Sequence, residues 1–426
     1  MLHSNDREVN RLLFKGNFGL EKESLRITRE GYLSHTDHPF PNHAHIVRDF
    51  CENQTEINTP VCASADAAVD SILKYTREIQ ETLKYLPEPE LLWPFSNPPY
   101  IRSESDIPIA KFYGEQASKT AYREYLSDRY GRYKMTFSGI HINFSFADEL
   151  LEADYKLSDF SSFQDYKNNL YLSVAERAVA YGWLMVSITA ASPVMDSSFI
   201  EKGCTGRDNF SGMASVRCSE LGYWNVFPPV FDYSNINAYC DSMERYVRDG
   251  WISAPSELYY PVRLKPRGEN NLTSLRKNGV NHIELRMVDL NPLRPAGLEL
   301  KDVQFAHLLL IWLASSPRQP FSERDQVQAV QNFKNAAHYD LETVKIVVPN
   351  GEVYTVTQAA LNVLDFMQDF YQDASPEILN VLDFQRQKFL NPENRYAWQV
   401  RRNFGDGFVK KGLVYATLQH DRNLRS

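Results

Sequence analysis

The sequence predicts an α+β fold, a largely antiparallel sheet backed by helices, on three observations. Strand-like patterns fall around residues 18–28, 46–58, 133–146, 259–265 and 280–290, within the first two thirds of the chain. Helical patterns around 117–128, 165–191, 298–315, 323–338, 357–372 and 376–390 leave the end mostly helical. The regular βαβ alternation that marks a parallel sheet is absent.

The first strand reads "FGLEKESLRIT". Period 2 puts Glu21 and Glu23 on one face. Two carboxylates about 4 Å apart repel by about 1 kcal/mol in water and about 4 at an effective dielectric near 20. A cation between them reverses the sign; the plain alternative is a solvated edge strand of mixed charge. Residues 65–85 form an amphipathic helix with Ser64 as its N-cap, followed by a Pro-punctuated loop, "LPEPELLWPFSNPPY". In "KMTFSGIHINFSF", Ile140, Ile142, Phe144 and Phe146 share one parity, and His141, Asn143 and Ser145 the other. In "HIELRMVDLNP", Ile283, Leu285 and Met287 oppose Glu284 and Arg286. The apolar sets pack on helices, so the polar sets face a cavity or water. Gly139 implies a close backbone approach or a bulge.

Composition narrows the function. The 426 residues, 43% hydrophobic and 13% aromatic, are ample for a large core, read here as one catalytic unit over 1–426 with a helical part from about 320. A net charge of −8 offers no basic footprint for nucleic acid. The five cysteines are odd in number and lack CxxC spacing, so reduced thiols in a cytoplasmic protein are expected. The N-terminus lacks a signal-type apolar stretch, and the run Ala178 to Met195 is interrupted by Gly182, Ser187 and Pro193. A buried core helix is expected there, with no membrane span.

Several strands aim acids away from the core. Besides Glu21, Glu23 and Glu284, "VRDFCENQTEINTP" offers Asp49 and Glu56, whose seven-residue spacing gives opposite parity in one regular strand. Either that strand bends or only one of the two faces the site. Oxygen ligands with one imidazole, His141, suit Mg²⁺ or Mn²⁺ better than zinc. So many carboxylates around a cavity are costly without metal. Neither GxxxxGK[ST] nor GxGxxG occurs, and "GDGFVKKG" matches neither. A nucleotide would need another cradle: metals, Arg286, and the Arg263, Lys265 and Arg267 cluster, whose alternative is an exposed turn. Arg217, in "ASVRCSELGYWN", can clamp a carboxylate bidentately or sit in a structural ion pair. Cys218 beside it has no base nearby and reads as a spectator.

Taken in order from about 18 to 295, "GLEKESLRI", "DFCENQTEINTP", "YREYLSDRYG", "TFSGIHINFS", "SVRCSELGY" and "IELRMVDLNP" resemble the bacterial glutamate–cysteine ligases of the monofunctional type. The resemblance implies a glutamine-synthetase-like curved antiparallel sheet forming a funnel-shaped active site, with helices outside. It implies ATP as substrate with L-glutamate and L-cysteine, and about three Mg²⁺ or Mn²⁺ ions held by Glu21, Glu23, Asp49, Glu56, His141 and Glu284. By motif, Arg217 matches the arginine for the glutamate α-carboxylate and Arg286 the one at the transferred phosphoryl group. Tyr122, Leu126, Phe137, Tyr223 and Tyr259 match the acceptor pocket, although plain packing also accounts for such tyrosines. A monomer is expected, and no motif is matched beyond about 320. Three alternatives stand: a related ligase with another small amino acid or amine as acceptor, a silent nucleotide- or amino-acid-binding homologue, and a phosphoguanidino-type kinase.

Overall fold

The computed structural model describes residues 1–202, 204 and 206–424. Its main sheet has seven strands: β1 (Gly16–Thr28), β2 (Ile46–Arg48), β3 (Gln54–Asn58), β4 (Glu90–Leu92), β5 (Gly139–Phe146), β6 (Val262–Pro266) and β7 (Val280–Asp289). The order is β2–β3–β1–β5–β7–β6, with β4 on the far end of β1, and every pairing is antiparallel. The α+β expectation holds.

The alternation read from the sequence sets the two faces. Phe18 and Leu20, Ile140 to Phe146 by twos, and Ile283, Leu285 and Met287 all lie in the main apolar core. The helix Phe163–Thr189 covers that face and is buried over most of its surface, as a helix apolar all round must be. The helix Leu300–Ser315 packs in the same core, where His307 meets the rings of Phe18 and Phe144. No helix among the described residues is long and apolar enough to cross a membrane. The helix Ala65–Lys84 starts where Ser64 Oγ accepts the N–H of Ala67, a cap worth about 1 kcal/mol.

Four expectations change. The strand read at 46–58 is a hairpin, β2 and β3, turning through Asp49 to Asn53. That turn has neither Gly nor Pro, so its sequence did not announce it. The strand read at 133–146 begins only at Gly139; Tyr133–Thr136 is a 3-10 turn. The Pro-punctuated loop contains β4, which pairs with Arg26 to Thr28. The helical end includes a small hairpin, Lys345–Val347 with Val353–Thr355. Beyond it, the helices Tyr396–Phe404 and Phe408–Asn423 return to the sheet. Their Phe404 and Phe408 join Trp93, Phe95, Leu25 and Ile27 in a second apolar cluster. "GDGFVKKG" spans the turn between them, Gly405 to Gly407, and the start of the second helix, where Asp208 accepts the N–H groups of Gly407 (2.6 Å) and Phe408 (2.9 Å).

Candidate functional site

The polar face of the sheet forms the floor of a cavity of ≈ 380 Å³. Register places its groups. Glu21 lies opposite His141, and Glu23 lies directly opposite Glu56 on β3. Glu284 lies opposite Asn143 on one side and Arg263 on the other. Asp49 reaches the same cavity because the hairpin turn, not strand parity, aims it. The spacing question posed by Asp49 and Glu56 therefore dissolves.

His141 Nδ1 sits 2.8 Å from Glu21 Oε2 and 3.6 Å from Glu284 Oε1. Its Nε2 is 3.8 Å from Glu23 Oε1. Ligand atoms of Glu21, His141 and Glu284 all lie within 4.8 Å of one another. Asn143 donates to Glu21 (2.9 Å), and the Gly139 N–H donates to Glu23 (2.8 Å).

Charge divides the floor in two. On the β7 side, Arg286 Nη1 donates to Glu284 (2.9 Å) and Lys265 Nζ is 3.3 Å from its other oxygen. Burial works against the Glu284 carboxylate, but Arg286, Lys265 and His141 outweigh it and hold the group well below the usual range. Glu21 is also desolvated, yet its hydrogen bond with His141 brings it below its ordinary value. On the β3 side compensation is thin. Burial, then Asp49, raise Glu23; burial, then Asp49, Glu21 and Glu23, push Glu56 well above the carboxylate range. Carboxylates that gain protons in a buried cluster are short of positive charge. Hard oxygen donors in that state fit a hard divalent cation, and the whole donor set fits Mg²⁺ or Mn²⁺.

Arg217 comes over the floor from the loop after Val216. Its Nη2 donates to the Arg286 carbonyl (2.9 Å), and no described carboxylate lies within ion-pair distance, which removes the structural ion pair. Gly139 is what admits it. A Cβ there would lie 2.3 Å from Arg217 Cζ. Opposite, the β5–β7 register slips between Ile140 and Ile142, so the close approach and the bulge both occur. On the other edge of β7 the β6 ladder continues, with the Arg286 N–H donating to the Pro261 carbonyl (2.9 Å).

Tyr122, Leu126, Phe137, Tyr223 and Tyr259 wall the cavity, and Arg263 and Lys265 line it from β6. The rings of Tyr223 and Tyr259 are 3.7 Å apart. Arg267 does not join them; it is exposed in the turn after β6, the alternative kept open for that cluster. Cys218 also borders the cavity, but burial pushes its thiol up to about 12, which keeps it an inert thiol. All five cysteines are unpaired.

Sequence reasoning passed over several lining residues. Arg123, next to Tyr122 in a quoted motif, donates to the Asp49 carbonyl (2.7 Å) and steadies the hairpin turn. Lys134 donates to the Gly222 carbonyl (3.0 Å). Asn143, which the alternation already put on the parity of His141, supports the floor through its bond to Glu21. Trp224 and Phe333 carried none, because their approach depends on packing far along the chain.

Comparison with known proteins agrees with this geometry. A family profile, glutamate–cysteine ligase, matches residues 2–250 and 226–336. The glutathione biosynthesis bifunctional protein GshAB of Listeria welshimeri is 35% identical over 428 residues. The chain belongs to the glutamate–cysteine ligase family. The alignment covers 96% of this chain and 55% of that relative; GshAB of Clostridium perfringens, 32% identical, is covered to 54%. The chain thus spans about half the length of the curated relatives it matches. A bifunctional glutathione synthetase from Pasteurella multocida superposes with a TM-score of 0.84 at 26% identity, over 99% of this chain and 54% of that one. A glutamate–cysteine ligase from Francisella tularensis in complex with AMP gives 0.85 at 23% identity, over 97% and 89%, a likeness of fold. The family match therefore runs past residue 295, where the quoted motifs stop, and the fold match includes the helical end.

Proposed function

We propose that the chain is an ATP-dependent glutamate–cysteine ligase (EC 6.3.2.2), joining the γ-carboxylate of L-glutamate to the amino group of L-cysteine. One observation carries the reading. Glu21, Glu23, Asp49, Glu56, His141 and Glu284 converge from four strands and a hairpin turn on one cavity, faced by Arg217, Arg286, Arg263 and Lys265.

Amide formation from a carboxylate in water is uphill and needs activation. The γ-carboxylate oxygen attacks the terminal phosphorus of ATP, and ADP leaves. The acceptor amine then attacks the acyl carbon of the γ-glutamyl phosphate, loses its proton, and phosphate leaves. The five acids and the imidazole would hold about three Mg²⁺ or Mn²⁺ ions, which when bound neutralise phosphate charge. Arg217 clamps the α-carboxylate of glutamate and so sets which carboxylate reaches the phosphate. Arg286 stays charged beside Glu284 and is aimed where charge develops on the transferred group. Arg263 and Lys265 lie between this cavity and a second, more apolar one along the outer edge of β6, of ≈ 290 Å³. In this reading the phosphates lie over the two cations and the nucleoside takes the second cavity. Tyr122, Leu126, Phe137, Tyr223 and Tyr259 surround the acceptor, and the reduced thiols match a cytoplasmic enzyme.

The test is product analysis. Mg-ATP, glutamate and a panel of amines are supplied, phosphate is measured and products are weighed by mass spectrometry. γ-Glutamylcysteine made in clear preference supports the reading. Another preferred amine redirects it to a related ligase, and ligand binding without turnover to a silent homologue.

A further inference from the structure

Between Glu21 and Glu23, Lys22 points to the opposite side of the sheet. Its ammonium is buried (6% exposed), and among the described residues its one hydrogen bond is to the Thr76 hydroxyl, 3.2 Å away. It borders a small recess of ≈ 20 Å³, enough for one water-sized species. Ser24, Thr76, Gln80, Asn291 and Gly297 share that recess, and no described Asp or Glu lines it. Asn291 is 2% exposed, and its Nδ2 has no partner although its Oδ1 accepts the N–H of Leu293 (3.0 Å). Gly297, at φ +82, closes over the lysine: a Cβ there would lie 3.2 Å from Lys22 Cε.

A buried ammonium without a counter-charge is costly, and so is a buried amide N–H without an acceptor. A water molecule could accept from both, but it brings no charge and must place two hydrogens of its own. A small anion accepts from both groups and neutralises the lysine. We propose that this recess is a binding site for a single monatomic anion, of chloride size, held by Lys22 and Asn291 behind the strand that carries Glu21 and Glu23. The site is separate from the catalytic cavity and bears on the stability of β1.

Two measurements on the full chain test it, with bromide as the probe. Crystals soaked in sodium bromide are expected to show an anomalous peak within hydrogen-bond distance of Lys22 Nζ and Asn291 Nδ2. Thermal unfolding in sodium bromide, against sodium gluconate at matched ionic strength, is expected to show a rise that grows with the logarithm of bromide concentration, roughly 1–2 °C at tenfold excess over Kd. Lys22→Met is expected to abolish that rise. A water without anomalous signal at the recess overturns the proposal, and so does an equal bromide response in Lys22→Met. If Lys22→Met does not fold, diffraction from the unaltered protein decides alone.

Discussion

Arg286 is held by the Glu284 carboxylate and by its N–H to the Pro261 carbonyl, and its guanidinium lines the cavity and adds nothing to the apolar core. Arg286→Ala is therefore expected to lower turnover by about 10²–10³-fold, the usual loss for one preorganised donor, with little change in Tm. Near-normal turnover in the folded variant removes that role. Glu56 makes the opposite trade. It faces Glu23 directly across the strands, in a group of carboxylates pushed toward protonation. Glu56→Gln is expected to raise the stability of EDTA-treated protein by about 0.2–1 kcal/mol, the size of a relieved cross-strand repulsion. The same change should weaken Mg²⁺ binding at least tenfold, as read by calorimetric titration. The sequence showed these residues well, because strand parity is a local property. It did not show Asp49 or Arg123 in place, because a turn without Gly or Pro carries no local sign of its direction.

At the scale of the element, the helix Leu300–Ser315 brings a histidine into the core. Burial pushes His307 down to about 4, between the rings of Phe18 and Phe144. The folded protein thus refuses a proton that the unfolded chain accepts near pH 6.5. Its contribution is whole above about pH 6.5 and is lost as pH falls toward 4, at about 1.4 kcal/mol per pH unit. His38, also lowered to about 4 by burial, acts in the same direction. Denaturant titrations from pH 7 to pH 4 should show this slope, and His307→Leu should flatten part of it. An unchanged slope would assign the acid sensitivity elsewhere. The helix itself was legible in the sequence, but its histidine's partners lie on two strands far away in the chain.

For the molecule as a whole, the helical end is the part the sequence explained least. It carried no matched motif, yet Phe404 and Phe408 reach Trp93 and Phe95 beneath the far half of β1. Phe408→Ala is expected to cost about 3–5 kcal/mol, a large part of the 5–15 kcal/mol that holds a domain together. Chemical denaturation measures it, and a cost below about 1 kcal/mol would make the end an appendage. Contacts of this kind join residues hundreds of positions apart, and no periodicity records them. The strands and the acid-bearing face were read from local alternation; the packing that closes the cavity was not.

Gly139 ties two distant positions into one choice. With a Cβ 2.3 Å from the guanidinium excluded, the residue at 139 answers to Arg217 and not only to its own strand. In a library randomised at both positions and selected for folded protein, glycine at 139 should be enriched wherever arginine is kept at 217. Larger residues at 139 should survive only beside a shortened side chain at 217, and active clones should retain the original pair.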